Sequence, residues 1–267
     1  MSYLYLIQDE IDRMSLIELQ EKYNVSEWTV RESIRKLGLK KKRSISKPSV
    51  NRDFFKELNH KSAYVFGYFL GDGSYNKYLN HGRVRYRMQI VSSERCNIEM
   101  IRNAMQSKHK ITEKVNKSRE LAGRVVKESV GYYLCISDER FIKNLQNLGV
   151  QEDKTNNGLK EYPAISEDIA PDIARGLLDS DGCINITPQG SLNLVWVFSE
   201  ETMLNWFKEF IFVPYSIKTQ VTSCGHKLYK LCVWKQTDIE KLYRWMYYPG
   251  VELYSNRKKS IFEVKIK

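Results

Sequence analysis

Two segments of the chain, AYVFGYFLGDGSY (63–75) and DIARGLLDSDGCI (172–184), share one pattern. Each segment is apolar and ends in an Asp-Gly pair. When the two acids are superposed, the glycines and small residues also coincide: Asp72 aligns with Asp181, Gly67 with Gly176, Gly71 with Ser180, and Gly73 with Gly182. This repetition indicates that the chain contains two copies of one structural unit.

The same order of predicted elements follows each segment. A hairpin, a helix, a second hairpin and a second helix are predicted at 74–92, 94–106, 110–137 and 139–148 in the first copy, and at 183–199, 200–210, 215–235 and 238–247 in the second. The fold class is therefore α+β, with a duplicated αββαββα unit. The first repeat spans residues 61–158 and the second spans residues 159–267.

The small residues within each segment predict how the two copies meet. Gly67 and Gly71 are four residues apart, as are Gly176 and Ser180, so each pair shares one face of a helix. Small residues let two helix backbones approach closely. We therefore expect the two segments to form helices that pack against each other around a pseudo-two-fold axis.

This packing would bring Asp72 and Asp181 together at the C-terminal ends of two helices. The free carbonyl groups there carry partial negative charge, and two added carboxylates repel each other unless a cation lies between them. Oxygen ligands at short range suit Mg²⁺. A single Asp-Gly pair after a helix is usually a turn, but two copies favour a metal site, because a turn does not require an acid in both.

The two segments resemble the paired motifs of LAGLIDADG homing endonucleases in their single-chain, two-repeat form, over roughly residues 61–267. The resemblance implies that Asp72 and Asp181 are catalytic and hold Mg²⁺, with Mn²⁺ as a substitute, beside Gly71 and Ser180. It also implies a pseudo-two-fold saddle that binds double-stranded DNA. The expected cut passes through both strands across the minor groove and leaves short 3′ overhangs.

The chain departs from the motif at its middle acid, where Leu70 stands in the first copy and Asp179 keeps the acid in the second. That position is not the catalytic one, so the departure does not argue against activity. The polar residue at the end of each first hairpin falls on Ser92 and Ser199, which are expected to position solvent.

The resemblance further implies a lysine after the last helix of each repeat, near the scissile phosphates. Lys154 and Lys258 match these places, with Arg257 and Lys259 as alternatives in the second repeat. A cation there would stabilise the pentacovalent phosphate or orient water. A surface lysine in a basic protein is an equally weighted interpretation for each of them alone.

The predicted hairpins carry a surface suited to nucleic acid. Side chains alternate between the two faces of a strand, and the polar-face residues are Arg83, Arg85, Arg87 and Gln89 in the first repeat, and Asn185, Thr187, Gln189, Asn193, Lys218, Gln220, Lys227 and Lys230 in the second. Arginine and glutamine pair with guanine and adenine edges in a major groove. No acid occurs at 73–93 or 210–237, which favours a phosphate-lined partner over a sheet facing water.

Residues 1–43 are predicted to form three short helices arranged as a helix-turn-helix, with Ser15 and Ser26 as N-caps. The expected apolar face of the third helix is Trp28, Val30, Ile34 and Leu37. The expected DNA contacts are Arg31, Arg35, Lys36, Lys40, Lys41, Lys42 and Arg43. A small helical bundle with a solvated charged face is the alternative. Residues 44–60 are predicted to be a flexible basic linker.

The composition bounds these interpretations. The chain has 267 residues, a net charge of +11 and 42% hydrophobic residues, which excludes a wholly disordered protein and favours an anionic partner. No apolar run is long enough to span a bilayer. The five cysteines have no CxxC spacing, and no signal peptide is expected, so we expect the cytoplasm of a bacterial or phage-infected cell, or an organelle. We further expect a monomer that needs no membrane and no obligate protein partner.

The predicted function is a site-specific, Mg²⁺-dependent double-strand DNA endonuclease connected with intron or intein mobility. Two alternatives stay open, a non-cleaving DNA-binding regulator on the same scaffold and an RNA-splicing maturase. The presence of both Asp72 and Asp181 favours the nuclease over the regulator, because a regulator has no need of both acids.

Overall fold

The computed structural model describes residues 8–14, 16–39, 48–80, 82–121, 124–152, 154, 158–211, 216–223 and 228–266. The chain divides into two units, Met1–Pro48 and Ser49–Lys267. Across the residues described, no helix is both long enough and apolar enough to cross a membrane. The cysteines among them, Cys96, Cys135, Cys183 and Cys232, are free thiols.

The first unit contains helices α1 (Gln8–Arg13), α2 (Leu16–Tyr23) and α3 (Glu27–Lys36). Ser26 caps α3 as predicted, because its hydroxyl oxygen accepts a hydrogen bond from the Thr29 amide at 3.2 Å. A small core of Ile11, Leu19 and Val30 holds the three helices together.

Two residues of the predicted apolar face of α3 do not belong to it. Trp28 is 67% exposed and Leu37 is 42% exposed. Trp28 is two residues from Val30, a rotation of about 200° around a helix, so the two side chains lie on opposite sides. Leu37 follows the last residue of α3. The predicted cap Ser15 and the basic residues Lys40, Lys41, Lys42 and Arg43 lie outside the described residues.

The second unit begins its first repeat with helix α4 (His60–Asp72). Asn59 accepts hydrogen bonds from the amides of Lys61 and Ser62, and the Ser62 hydroxyl oxygen accepts one from the Asn59 amide, which forms a capping box. The elements that follow are β1 (Gly73–Asn80), β2 (Arg83–Ser92), α5 (Arg95–Ala104), β3 (Ile111–Asn116), β4 (Arg119–Leu121), β5 (Arg124–Val126), β6 (Ser129–Ile136) and α6 (Glu139–Asn147).

The second repeat has the same succession. Its elements are α7 (Ala170–Ser180), β7 (Cys183–Ile186), β8 (Leu192–Phe198), α8 (Glu201–Ile211), β9 (Gln220–Ser223), β10 (Tyr229–Val233), α9 (Gln236–Met246) and a final helix, α10 (Asn256–Lys265). The sheet order is β1-β2-β6-β3 in the first repeat and β7-β8-β10-β9 in the second. Both sheets are antiparallel, so the predicted duplicated α+β unit is confirmed.

Three local features differ from the prediction. The second hairpin of the second repeat, expected from residue 215, has its first strand only from Gln220, and Ser216 before it has φ +52, which is not an extended conformation. The first repeat extends its second hairpin with the short pair β4–β5. The chain also ends in α10, which follows the last predicted helix.

Helices α4 and α7 form the centre of the second unit. Residues 62–70 and 170–179 are buried, and the apolar faces of both sheets contribute to the same core. The two backbones touch at the paired glycines. A methyl group built on Gly67 would lie 2.2 Å from the carbonyl oxygen of Ile173, and one on Gly176 would lie 2.1 Å from that of Tyr64. Only glycine fits such an approach.

Residues 49–59, predicted as part of a flexible linker, instead pack against the first repeat. Phe54 and Phe55 are buried in the main core, and the Asn51 amide donates to the Met105 carbonyl at 3.1 Å. Asp53 accepts hydrogen bonds from Arg140 on α6. The linker prediction fails here because two adjacent aromatic side chains gain more from burial than this short segment loses in entropy.

Candidate active site

The two motif acids lie where the central helices end. Asp72 is the last residue of α4, and Asp181 directly follows α7. Both helix ends meet at Gly71, where an added methyl group would lie 2.1 Å from the Ser180 hydroxyl oxygen and 3.1 Å from the carboxyl carbon of Asp181. The packing of the glycines upstream thus sets the separation of the two carboxyl groups.

Desolvation disfavours the ionised form of both acids, and the charge of Asp181 adds to this effect at Asp72. Burial, and then the charge of Asp181, raise the pKa of Asp72 to about 6. Burial also raises the pKa of Asp181, while Lys154 and Lys258 oppose that rise. A divalent cation between the two carboxylates would offset both effects, and an all-oxygen donor set suits Mg²⁺ or Mn²⁺. The residues present therefore fit such a metal.

The two predicted lysines contact the ends of the same helices. Lys154 Nζ donates to the carbonyl oxygens of Leu70 at 2.7 Å and Gly71 at 2.9 Å. Lys258 Nζ is buried and donates to four carbonyl oxygens: Leu178 at 2.5 Å, Asp179 at 2.9 Å, Ser180 at 3.3 Å and Gly182 at 2.8 Å. Burial lowers the pKa of each lysine, and the nearby carboxylates oppose this.

These contacts satisfy orphan carbonyl groups and compensate the negative end of each helix dipole. They also occupy the backbone of Gly71 and Ser180, the two residues expected beside a metal. Within the described residues, no group of three or more His, Cys, Asp or Glu side chains is placed to hold a metal ion. Among the described side chains, the two carboxylates of Asp72 and Asp181 are therefore the acids that meet at this place.

The alternative cations Arg257 and Lys259, and Ser92 of the two serines expected to position solvent, contact other groups. Arg257 Nε donates to Glu94 at 2.6 Å, and Lys259 pairs with Glu263 at 3.3 Å. The Ser92 hydroxyl oxygen accepts from the Glu94 amide at 3.1 Å and is buried. Ser199 is half-buried after β8, and the Ser180 hydroxyl donates within α7, to Gly176 and Leu177.

Asp179 has a positioning role that its sequence context did not reveal. Its carboxylate accepts from the Tyr64 hydroxyl of α4 at 2.9 Å and from the Ser255 amide, at the start of α10, at 2.7 Å. Burial raises its pKa to about 6. Asp179 thus connects the first repeat to the helix that carries Lys258. The sequence feature that could have indicated this role is an acid inside an otherwise apolar run.

The outward face of the first sheet carries the predicted arginines. Register pairs Gln89 with Ser74, Arg87 with Asn76, Arg85 with Tyr78 and Arg83 with Asn80, while Met88 and Ile90 face the core. Arg87 lies over the Tyr78 ring at 5.3 Å. Lys114, missed by the sequence analysis, joins this face and lies 4.8 Å from the Tyr133 ring.

The outward face of the second sheet carries few charges. Asn185 pairs with Asn193, Lys230 with Thr222, and Cys232 with Gln220. Lys218 is exposed but precedes the strand, and Gln189 is exposed in the turn. The Thr187 hydroxyl oxygen accepts from the Ser191 amide at 3.1 Å, so it closes the turn. Lys227 lies outside the described residues.

The basic residues of α3 are exposed but paired within their own helix. Arg31 lies 2.6 Å from Glu27, and Arg35 lies 2.6 Å from Glu32. Lys36 is 3.8 Å from Glu32. Exposed pairs of this kind contribute about 0–1 kcal/mol, so phosphate groups can replace them at little cost.

The opposite ends of α4 and α7 hold a buried polar cluster that sequence reasoning missed. Asp172 accepts from His60 at 2.8 Å and from the Tyr248 hydroxyl at 3.1 Å, and it pairs with the buried Arg175. Arg175 also donates to the Leu253 carbonyl at 2.7 Å. A cavity of about 380 Å³ adjoins the cluster.

Comparison with known proteins identifies the fold. No family model and no curated protein matches the chain. The homing endonuclease I-DmoI, solved in complex with DNA and Ca, is similar with a TM-score of 0.50 and 14% identity, over 80% of this chain and 99% of that chain. The LAGLIDADG meganuclease I-AabMI bound to uncleaved DNA gives 0.47 and 17%, over 78% and 90%. The N-terminal LAGLIDADG domain of WhiA gives 0.45 and 15%, over 79% and 93%. With two αββαββα repeats in the same strand order, the chain has the duplicated LAGLIDADG fold.

Proposed function

We propose that this protein is a site-specific DNA endonuclease that hydrolyses both strands at the paired acids Asp72 and Asp181. One observation carries the proposal: two carboxylates with raised pKa values converge where two helices end, and a four-stranded antiparallel sheet begins directly after each helix. Two neighbouring acids whose ionised forms are both disfavoured are typical of a functional site rather than of a turn.

The surrounding residues have separable roles in this mechanism. Arg83, Arg85, Arg87 and Lys114 bind the duplex and orient it over the acids. Lys154 and Lys258 fix the two helix ends, so the carboxylates keep their separation when the phosphates arrive. A divalent cation held by Asp72 and Asp181 would supply Lewis-acid activation of water and of the phosphate oxygens.

Conservative substitution of each acid tests the proposal. Asp72→Asn and Asp181→Asn should each abolish double-strand cleavage and leave DNA affinity largely unchanged, because they remove a charge without changing side-chain volume. Asp53→Asn is the control, since Asp53 is an exposed acid outside both motifs, and its side chain pairs with Arg140. Cleavage at the wild-type rate by either motif variant would rule out the assignment.

The target is unknown, so the first experiment is linearisation of a plasmid library in Mg²⁺, followed by sequencing of the ends. Short 3′ overhangs at one recurrent sequence are expected. A protein that binds one sequence tightly but cuts nothing in Mg²⁺ or Mn²⁺ would instead be a regulator. Binding of intron RNA in preference to duplex DNA would favour the maturase.

A further inference from the structure

We infer that the two halves of the DNA target differ in base composition, the half read by the first repeat being guanine-rich and the half read by the second being rich in A·T pairs. This inference rests on the proposed function, because it names the substrate of the same surface. It follows from a comparison of matched positions on the two sheets.

The register makes the two sheets comparable residue by residue. With Asp72 superposed on Asp181, the pair Ser74–Gln89 coincides with Cys183–Val195, since both pairs are opposite each other across the first hairpin. The next pair outward, Asn76–Arg87, coincides in the same way with Asn185–Asn193. The pair Tyr78–Arg85 then coincides with Thr187 and Ser191, which are joined by a hydrogen bond from the Thr187 amide to the Ser191 carbonyl at 2.8 Å. The third strand agrees, because Gln89 pairs with Cys135 just as Val195 pairs with Cys232.

This alignment shows which side chains differ between matched positions of the two repeats. Arg87 of the first repeat becomes Asn193 in the second, and Gln89 becomes Val195. Arg85 becomes Ser191, which lies at the turn. At each of these three positions a long polar or cationic side chain is replaced by one that is neutral and shorter.

The first sheet is suited to guanine. Arg83 and Arg87 are exposed, and Arg85 is half-exposed between them. Arginine binds the O6 and N7 atoms of guanine through two parallel hydrogen bonds, the commonest specific contact in a major groove. The Tyr78 ring beneath Arg87 restricts where its guanidinium can point.

The second sheet is suited to thymine and adenine. Val195 and Val197 are half-exposed on its outward face, in the central strand β8, while Leu194 and Trp196 between them are buried. Apolar side chains contact the C5 methyl group of thymine, and asparagine binds adenine N6 and N7. Asn185 is exposed beside the valines, whereas Asn193 lies opposite it with its side-chain oxygen buried, so Asn185 is the residue placed to bind adenine. Lys230 is the cation that the described strands of this sheet place on the same face.

The first experiment selects duplexes from a randomised pool with the full-length protein, with Ca²⁺ replacing Mg²⁺ to hold the duplex uncut. A target with one G·C-rich half and one A·T-rich half is expected. Arg85→Ala and Arg87→Ala should relax the guanine preference in the first half only. If the arginines contact only phosphates, these variants would weaken binding without changing the preference, which would overturn the guanine assignment.

The second experiment replaces thymine by uracil in the selected target, which removes only the methyl groups. Wild-type affinity should fall about fourfold for each contacted methyl in the A·T-rich half, and should not change for the other half. Val195→Ala with Val197→Ala should abolish this sensitivity. The DNA substitution is measured on the unaltered protein, so misfolding of the valine variant cannot hide the result.

The two ideas fail in different ways. A selected target whose halves have the same base composition, or an affinity that uracil leaves unchanged, contradicts the inference and leaves the endonuclease proposal intact. Failure to enrich any duplex contradicts both.

Discussion

Lys154 and Lys258 determine how the two acids are held. Each ammonium group binds the carbonyl groups at the end of one motif helix, so it compensates both the helix dipole and the neighbouring carboxylates. The family resemblance pointed to these lysines by their place after the last predicted helix of each repeat, but it could not show that their contacts would be backbone carbonyls. These contacts join residues more than 75 positions apart, so local sequence pattern does not determine them.

At the same scale, Asp72→Asn should raise the melting temperature near neutral pH in metal-free buffer. The pKa of Asp72 is raised from 3.8 to about 6, so the folded protein binds the extra proton and wild-type stability falls as pH rises through that window. The gain should vanish below about pH 4, where the carboxyl group is protonated in both folded and unfolded chains. Thermal melting of both proteins across this pH range measures the difference in melting temperature. Equal melting temperatures at neutral pH would contradict the prediction.

Metal addition provides the companion measurement. Mg²⁺ should raise the melting temperature of the wild type, because a ligand that binds only the folded state stabilises it. The Asp72→Asn and Asp181→Asn variants should respond much less. An equal response in all three proteins would mean that the metal binds elsewhere.

At the scale of secondary-structure elements, the packing of α4 against α7 is sensitive to the addition of a single methyl group. The backbone carbonyls of Ile173 and Tyr64 occupy the places that a methyl group on Gly67 or Gly176 would need. Backbone cannot move aside as a flexible side chain can, so the helices must separate.

Gly67→Ala and Gly176→Ala should therefore lower stability by about 1–3 kcal/mol. Gly67→Leu should do so more strongly. Separation of the helix ends by about 1 Å should also reduce cleavage roughly 10²-fold, although neither glycine touches substrate. Gly82→Asn is the control, because Gly82 has φ +71 with open space around it and asparagine tolerates that conformation. Unchanged melting and activity in Gly67→Leu would show that the helices do not pack this way.

Local sequence pattern predicted the helices and hairpins of the two repeats well, but it predicted the face of α3 and the contacts between distant residues poorly. The two motif helices and their four hairpins follow from glycine spacing and strand alternation, both of which are local. The predicted face of α3 is wrong at Trp28, because a residue two positions from Val30 lies on the opposite side of a helix. The Asp172–Arg175 cluster could not be predicted, since His60 and Tyr248 reach it from distant parts of the chain.

For the whole molecule, the N-terminal boundary of the second unit determines which residues can be deleted without unfolding that unit. Phe54 and Phe55 belong to its core, so it begins before α4. Deleting residues 1–47 should leave that unit folded, whereas deleting residues 1–59 should destabilise it strongly, since truncating a buried Phe typically costs about 3–5 kcal/mol. Melting of the two truncated proteins makes the comparison, and equal melting temperatures would contradict it.

The shorter deletion also tests the N-terminal unit as a DNA-binding module. It should weaken binding, shorten the footprint and make affinity less dependent on salt, because it removes the cations of α3. Cleavage should persist at high protein concentration, because both acids remain. An unchanged footprint and salt dependence would show that this unit does not touch the target.

The covalent joining of the two repeats has a consequence for symmetry. A homodimer built from one such repeat would present the same residues twice, and its DNA would have to be palindromic. In a single chain, a substitution in one half is not copied into the other, and Leu70 opposite Asp179 shows that the halves have diverged even inside the buried motif. The contact between α4 and α7 must keep its paired glycines, but the outward face of each sheet is free to match a different half of an unsymmetrical DNA sequence.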